Sequence, residues 1–211
     1  PGTGKTTIAR ILAKYLKAIG ALRGGQLVEV TRADLVGRYV GHTAPLTNSV
    51  IQSALGGVLF IDEAYALYRG GEDSFGLEAI DTLVKGIEDH RDDLVVILAG
   101  YTKEMQLFLS ANSGLASRFP NQIEFPDYSG EELYKILCSI AKGKGYTLDD
   151  ACKLPLVTYF DRKQVEDAAT NGNGRMARNT LEKAILNQSK RLVADPDASL
   201  ELLLPGDFEL E

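Results

Sequence analysis

The first residues of the sequence have the types and order of a phosphate-binding loop, and they lead into apolar residues at helical spacing. In such a loop, glycines let backbone N–H groups approach the phosphates, and a lysine reaches the β- and γ-phosphates. The hydroxyl of the following threonine, here Thr6, binds Mg²⁺. The alternative is a glycine-rich turn before a helix. The residues expected to bind the nucleotide are Pro1, Gly2, Thr3, Gly4, Lys5, Thr6 and Thr7.

The loop pattern G-x-x-x-x-G-K-[ST] places its first glycine two positions before Pro1, and the strand that should precede the loop is missing as well. Since a protein would hardly begin inside its own phosphate loop, we expect the sequence to be a fragment of a longer chain. On this expectation, the fragment alone binds ATP poorly, or becomes ordered only when the preceding segment is supplied.

Two acidic residues follow a continuous apolar run at 58–61. Such a run is typical of a strand buried on both faces of a parallel sheet, and an acid at its carboxyl end projects toward the crevice where ligands bind. We expect Asp62 to bind the Mg²⁺ that accompanies the nucleotide and Glu63 to polarise the attacking water. Two solvated carboxylates in a turn are the alternative. Together with the phosphate loop, the pair indicates hydrolysis of a nucleoside triphosphate.

Two arginines further along the chain could also contact phosphate. Arg118, in a loop at 117–120, could neutralise charge that develops on a γ-phosphate. Arg175 stands at the start of the last long helix, a position that favours an anion. Taken alone, each of them is more often a surface residue, and an exposed ion pair is the common alternative for Arg118.

The elements that must position these residues alternate along the first part of the chain. Apolar periodicity predicts helices over 8–19, 43–55 and 77–87, and continuous apolar runs predict strands. Alternation of this kind indicates an α/β fold with a doubly wound parallel sheet. The strands are expected at 27–30, 58–61, 94–99 and 123–125.

The pattern changes near residue 127. Ser129 and Glu132 have the spacing of a capping box, and from there to about residue 194 every periodic segment is helical. Pro155 should break or kink one of these helices. Residues 200–204 are predicted to form a short terminal strand. We therefore divide the chain into an α/β nucleotide-binding core, 1–126, and a small helical lid domain, 127–211.

Composition narrows the class of protein. The charge is 23 − 29 = −6 and the pI is about 5.1, so the basic footprint of a non-specific DNA-binding protein is missing, which still leaves room for a local basic patch. No apolar stretch is long enough for a membrane span. The two cysteines are too few for a disulfide framework, which favours a reducing cytoplasm. We expect a cytoplasmic protein that binds no nucleic acid.

The order of phosphate loop, Asp-Glu strand and two arginines resembles that of the AAA+ ATPases over essentially the whole chain. Finer features are similar to the CbbX/CfxQ family, which includes red-type Rubisco activases, sporulation proteins and type VII secretion ATPases. The run at 68–72 with Phe75 and Gly76 looks closest to the sporulation branch. The closer resemblance is carried by 31–44 (TRADLVGRYVGHTA), 57–65 (GVLFIDEAY), 97–101 (ILAGY) and 125–128 (FPDY).

This resemblance implies that ATP and Mg²⁺ bind between the core and the lid of subunits assembled in homo-hexameric rings. It implies that Arg118 completes the neighbouring subunit's site as an arginine finger, and that Arg175 is the sensor-2 arginine. At the position that usually orients the water with a small polar side chain, this sequence has Tyr101, followed by Thr102, so that residue's role departs from the pattern.

The resemblance also matches Tyr39, Val40 and Gly41 to the aromatic-hydrophobic-glycine pore loop that grips a polypeptide. A loop aromatic packed on the core is the alternative for Tyr39. The leading hypothesis is an ATP-hydrolysing protein remodeller that threads a protein client through a central pore. The main alternative is a nucleotide-gated assembly scaffold whose ATPase activity is incidental. A DNA helicase or clamp-loader relative is disfavoured by the acidic charge.

Overall fold

The computed structural model describes residues 2–167 and 172–211, which group into two compact units. The core unit is Lys5–Glu124, and the lid unit consists of residues 2–4 together with Phe125–Glu211. The phosphate loop is therefore divided: its glycine segment belongs to the lid unit, and Lys5, Thr6 and Thr7 belong to the core unit. Pro1, an expected nucleotide-binding residue, lies outside the described residues.

The core unit alternates helices and strands, as the sequence predicts. A 3₁₀ turn, Ala64–Leu67, follows its second strand. In chain order, the helices and strands are α1 (Lys5–Ala18), β1 (Leu27–Val30), α2 (Arg32–Leu35), α3 (Thr43–Ala54), β2 (Val58–Ile61), α4 (Ser74–Asp89), β3 (Val95–Leu98), α5 (Thr102–Ala111) and α6 (Ser113–Ala116).

The strands of the core unit form a parallel sheet in the order β1-β2-β3. Successive side chains of a strand point to opposite faces, and both faces of β2 are buried. Val58 and Phe60 cluster with residues of α1, whereas Leu59 and Ile61 cluster with residues of α3 and α4. Helices therefore cover both faces of the sheet, and the predicted doubly wound core is confirmed.

Helix α1 runs antiparallel to the strands. Near its beginning, Ala9 clusters with Phe60 and Ala99, which lie toward the carboxyl ends of β2 and β3. One turn later, Ala13 clusters with Val58 at the start of β2. The beginning of α1, which carries Lys5, is therefore directed toward the carboxyl edge of the sheet.

The predicted strand at 123–125 is wrong. These residues have no regular secondary structure, and the Ile123 side chain is 82% exposed. A strand is stabilised by backbone hydrogen bonds to a neighbouring strand. Within the described part of the chain, no strand pairs with 123–125, so its apolar residues have no sheet to join.

The lid unit is built around helices that begin where the sequence predicts. Ser129 Oγ accepts a hydrogen bond from Glu132 N at 3.2 Å and Glu132 Oε2 accepts one from Ser129 N at 3.0 Å, which confirms the capping box. The buried centre of the lid unit includes Leu133, Leu137 and Phe160. The lid elements are α7 (Gly130–Gly143), β4 (Thr147–Leu148), α8 (Lys153–Glu166), α9 (Gly174–Ala194) and β5 (Leu202–Leu203).

Two predictions for the lid need correction. Pro155 neither breaks nor kinks a helix, because it is the third residue of α8, where its missing N–H would have had no partner within the helix. The lid is also not purely helical between the boundary and residue 194. Thr147–Leu148 pairs in parallel with Leu202–Leu203, which confirms the terminal strand over two residues.

Candidate nucleotide site

The carboxyl edge of the sheet fixes the backbone around the two acidic residues. The register aligns Val30, Ile61 and Leu98, so the chain leaves all three strands at the same level. Asp62 N donates to Val30 O at 2.9 Å, and Ala64 N donates to Ala99 O at 3.0 Å. Asp62 and Glu63 are therefore held between the ends of both neighbouring strands, at the edge where parallel sheets bind ligands.

Glu63 has a backbone conformation that is rare for its residue type. Its φ is 49°, in the left-handed region, which costs a non-glycine residue about 1–2 kcal/mol. Its N–H donates to Asp62 Oδ1 at 2.9 Å, and its side chain is exposed. Strain of this kind collects at functional sites, where the surrounding structure maintains it. Here the strand ends on both sides of β2 hold the turn.

Tyr101 lies at the same edge as the acidic pair. Its ring is 6.2 Å from the ring of Tyr65, centroid to centroid. The pKa of Tyr65 is raised mainly by burial and further by the charges of the nearby carboxylates Glu63, Glu104 and Asp62. The residue at the expected sensor position is therefore close to the acidic pair, although a phenol replaces the usual small polar group.

Glu63 also lines a cavity of about 480 Å³ in the core unit. The other lining residues include Val36 and Gly37, at the base of the loop that carries Tyr39. The space beside the acidic pair is therefore continuous with the base of the expected pore loop.

The glycine segment of the phosphate loop packs against other residues of the lid unit. Gly2 O accepts a hydrogen bond from Gly174 N at 2.8 Å, and Thr3 O accepts one from the Tyr128 hydroxyl at 2.8 Å. A Cβ atom on Gly2 would lie 3.0 Å from Arg175 N. The start of α9, which carries the exposed Arg175, is thus adjacent to the glycine segment.

The residues present fit a Mg²⁺-bound nucleotide. Thr3 is 6% exposed, and its Oγ1 has no hydrogen-bond partner among the described residues, so the loop has a buried polar atom that a ligand could engage. Gly2 and Gly4 have φ of 67° and 87°, as expected in an anion-binding loop. Thr6 and Asp62 could supply oxygen atoms, the ligand type that Mg²⁺ prefers, and Mg²⁺ needs few protein ligands when phosphates complete its shell.

Arg118 is held at the surface of the core unit. Its Nη2 donates to Glu88 Oε1 of α4, and its Nη1 donates to Gly114 O at 2.8 Å. The Arg118 side chain is 27% exposed. In the single chain, the residue therefore makes the ion pair that the alternative interpretation expects, and it remains partly accessible from outside.

The loop between α2 and α3 presents its aromatic residue to solvent. Gly37 N donates to Thr43 Oγ1 at 3.0 Å and closes the base of the loop. Tyr39 is 68% exposed and Val40 is 87% exposed, and the Tyr39 ring contacts the ring of His42 edge-on at 5.5 Å. Tyr39 does not pack on the core.

Comparison with known protein families shows the family to which the chain belongs. The profile described as "ATPase family associated with various cellular activities (AAA)" matches residues 1–127, and the profile of the "AAA lid domain" matches residues 129–211. The chain belongs to the AAA ATPase family.

Curated relatives of this AAA chain confirm the resemblance to CbbX and CfxQ. Stage V sporulation protein K of Bacillus subtilis is 49% identical over 92% of the chain and 60% of its own length. Protein CbbX of Cereibacter sphaeroides is 46% identical over 95% of the chain and 65% of its own length. The chloroplastic ribulose bisphosphate carboxylase/oxygenase activase of Cyanidioschyzon merolae is 45% identical over 95% of the chain and 68% of its own length. These identities do not separate the sporulation branch from the activase branch.

A solved structure shares the AAA fold. The FIGL-1 AAA domain in complex with ADP superposes with a TM-score of 0.65 and is 18% identical, over 99% of this chain and 66% of that one. Among the helices described here, none combines the length and apolarity needed to cross a membrane.

An ion pair behind the acidic turn was not identified from the sequence. Arg32 Nη1 and Nη2 donate to the Asp73 carboxylate at 2.6 and 2.9 Å, and Arg32 Nη1 also donates to Ala66 O at 2.8 Å. Asp73 in turn caps α4 by accepting from Gly76 N at 3.1 Å. The pair is largely buried and fixes the segment after Glu63 against α2. The hydrogen bond from Arg32 lowers the pKa of Asp73 to about 2.

Asp73→Asn is expected to lower the free energy of unfolding by about 3 kcal/mol at pH 7, because it leaves the buried guanidinium without its counter-ion. The pKa of Asp73 falls on folding, so the stabilisation is complete above the ordinary value of 3.8 and is lost as the pH drops through about 2. The difference between wild type and variant should therefore shrink below pH 4. Urea titrations at a series of pH values measure it.

The control for this prediction is Asp93→Asn, which breaks the more exposed pair between Asp93 and Arg23. An exposed ion pair contributes little to stability, so this variant should unfold almost like the wild type at pH 7. Equal destabilisation by the two substitutions would show that burial of the Asp73 pair has no special effect.

Proposed function

We propose that the protein is a Mg²⁺-dependent ATPase that works as a homo-hexameric ring in the cytoplasm and remodels a protein client. The observation that carries the proposal is the position of Asp62 and Glu63 at the carboxyl edge of the sheet. The start of α1, with Lys5 and Thr6, is directed toward the same edge. Acid, phosphate-binding lysine and hydroxyl are the groups that phosphoryl transfer to water requires.

In this proposal each residue of the edge has one task. Lys5 and the loop N–H groups bind the β- and γ-phosphates, and Thr6 and Asp62 hold Mg²⁺, which neutralises charge on the phosphates. Glu63 orients a water molecule and accepts its proton as the oxygen attacks the γ-phosphorus. The strained turn aims the Glu63 carboxylate, and Tyr101, at the same edge of the sheet, assists in positioning the water.

The two arginines, Arg175 and Arg118, are proposed to contact γ-phosphates of different nucleotides. Arg175, beside the glycine segment in the lid unit, acts on the nucleotide of its own subunit. Arg118 acts on the nucleotide of the neighbouring subunit, and its partial exposure at the surface of the core unit supports this role. Hydrolysis then depends on assembly, because each site is completed by a residue of the next chain.

Tyr39, Val40 and Gly41 are proposed to grip the client. A large aromatic side chain in water does not stabilise the fold, and its exposure beside Val40 is what a contact surface for an extended polypeptide requires. The grip is non-specific, since an aromatic ring can pack against many side chains. The acidic charge of the chain argues against a nucleic acid as the threaded polymer.

Tyr39→Ala in the full-length protein tests the remodelling function. We expect basal ATP turnover and assembly of the hexamer to stay near wild-type values. Remodelling of a protein client should fall by about tenfold or more, because each tyrosine side chain contributes roughly 1 kcal/mol of contact and the six subunits act together. Tyr39→Phe is the matched control and should keep most of the activity, since the grip depends on the aromatic ring. Remodelling at the wild-type rate in Tyr39→Ala would favour the nucleotide-gated scaffold instead.

A further inference from the structure

Two hydrogen bonds hold consecutive carbonyl groups of the phosphate loop from the side of the lid unit. The Tyr128 hydroxyl donates to Thr3 O at 2.8 Å, and Gly174 N donates to Gly2 O at 2.8 Å. All four residues belong to the lid unit. One donor is a backbone group at the start of α9, and the other is a side chain that a single substitution can remove.

Peptide geometry converts these contacts into a constraint on the loop N–H groups. A trans peptide unit is planar, so its C=O and its N–H point in opposite directions. The described residues contain no cis peptide bond. The carbonyl of Thr3 shares its plane with the N–H of Gly4, and the carbonyl of Gly2 shares its plane with the N–H of Thr3. Fixing the two carbonyls therefore turns both N–H groups away from Tyr128 and Gly174.

These N–H groups are the donors that a phosphate loop presents to its ligand. Gly2 and Gly4, on either side of Thr3, both have positive φ, which glycine adopts without steric cost but also leaves readily. A loop with this freedom needs an external restraint if its donors are to be aligned before the phosphate arrives. The Tyr128 hydroxyl is such a restraint.

Tyr128 is itself held in place at its backbone. Its N–H donates to Asn173 Oδ1 at 2.9 Å, and its carbonyl accepts from Gln164 Nε2 at 2.5 Å. Asn173 is buried, has the unusual φ of 44°, and donates through Nδ2 to Asp127 Oδ1 at 2.7 Å. The ring of Tyr128 packs against the apolar centre of the lid unit. The hydroxyl is therefore carried by a well-fixed side chain.

We propose that Tyr128 is a positioning residue for nucleotide binding: its hydroxyl holds the peptide between Thr3 and Gly4 so that the Gly4 N–H faces the phosphates. The inference rests on the proposed function, since it presumes that the loop binds ATP. Tyr128 acts through the loop and has no role in the attack on the γ-phosphorus. Its effect belongs to affinity for phosphate, and the rate at saturating ATP is independent of it.

Tyr128→Phe in the full-length protein removes the hydroxyl and keeps the ring. The loss of one hydrogen bond should weaken ADP and ATP binding about fivefold and raise KM by the same factor. The turnover number at saturating ATP should stay within about twofold of the wild-type value. The melting temperature without nucleotide should stay within about a degree or two of that of the wild type. Calorimetry with ADP and steady-state kinetics measure these quantities.

The matched control is Tyr134→Phe, on α7 of the same unit. Burial raises the pKa of Tyr134, so this substitution also removes a partly buried tyrosine hydroxyl of the lid unit, but one that forms no hydrogen bond with the loop among the described residues. It should bind ADP like the wild type. An ADP affinity of Tyr128→Phe within twofold of wild type would overturn the inference, and so would an equal loss in both variants. A wild type that binds no ADP would overturn the proposed function, and this inference with it.

Discussion

Glu63→Gln is expected to lower ATP turnover by at least about 10²-fold, which is the usual effect of losing a positioned general base. ATP binding should survive the substitution. Glutamine keeps the size of the side chain and the turn that aims it, but it cannot accept the proton of the attacking water. Asp62 remains available to Mg²⁺, so affinity should change little. Turnover and ATP affinity measured on the same full-length preparation give both numbers.

A control for this prediction is Glu104→Gln, in the first turn of α5. Glu104 is a second exposed carboxylate whose charge reaches Tyr65, so the substitution removes a similar charge from the same region. Its turnover should stay close to that of the wild type. If Glu63→Gln instead weakened ATP binding and kept most of the turnover, the general base would have to be assigned to another residue.

Arg118→Ala is expected to abolish hydrolysis, with a loss of about 10³-fold or more, while each subunit still binds ATP. The reason is that the guanidinium is proposed to neutralise charge on a γ-phosphate held by the neighbouring subunit. The fold should tolerate the change, since the ion pair with Glu88 is partly exposed and such pairs contribute little. Turnover, ATP affinity and melting temperature are measured together.

Arg23→Ala is the matched control for Arg118→Ala. Arg23 also forms a surface ion pair, with Asp93 at 2.8 Å, but nothing places it near a nucleotide. Its loss should leave turnover unchanged. If both arginine variants lost activity to the same degree, a general effect of surface charge would explain the result better than an arginine finger.

The parts of the fold that the sequence predicts are those encoded by neighbouring residues. The run at 58–61 is apolar at every position, which is typical of a strand covered on both faces, and all four residues are buried. The Ser129 and Glu132 pair marks the start of a helix within four residues. Asp62 and Glu63 are predicted as site residues because they come directly after such a strand.

The contacts that the sequence does not reveal join residues far apart in the chain. Arg32 and Asp73 are 41 residues apart, and Tyr128 and Thr3 are 125 apart, so no local pattern links them. The positive φ of Glu63 is equally hidden, because glutamate has no preference for that region. The strand expected at 123–125 failed for a related reason: its apolar residues are local, but a strand also needs a partner.

The claim that ATP is hydrolysed at a site shared by neighbouring subunits of a ring is tested most directly by mixing two inactive variants. Glu63→Gln subunits keep Arg118, and Arg118→Ala subunits keep Glu63, so some interfaces of a mixed ring contain both intact groups. We expect the mixture to hydrolyse ATP faster than the sum of its separate components. No recovery in rings shown to exchange subunits would contradict the shared site and place the action of Arg118 within its own subunit or in assembly alone.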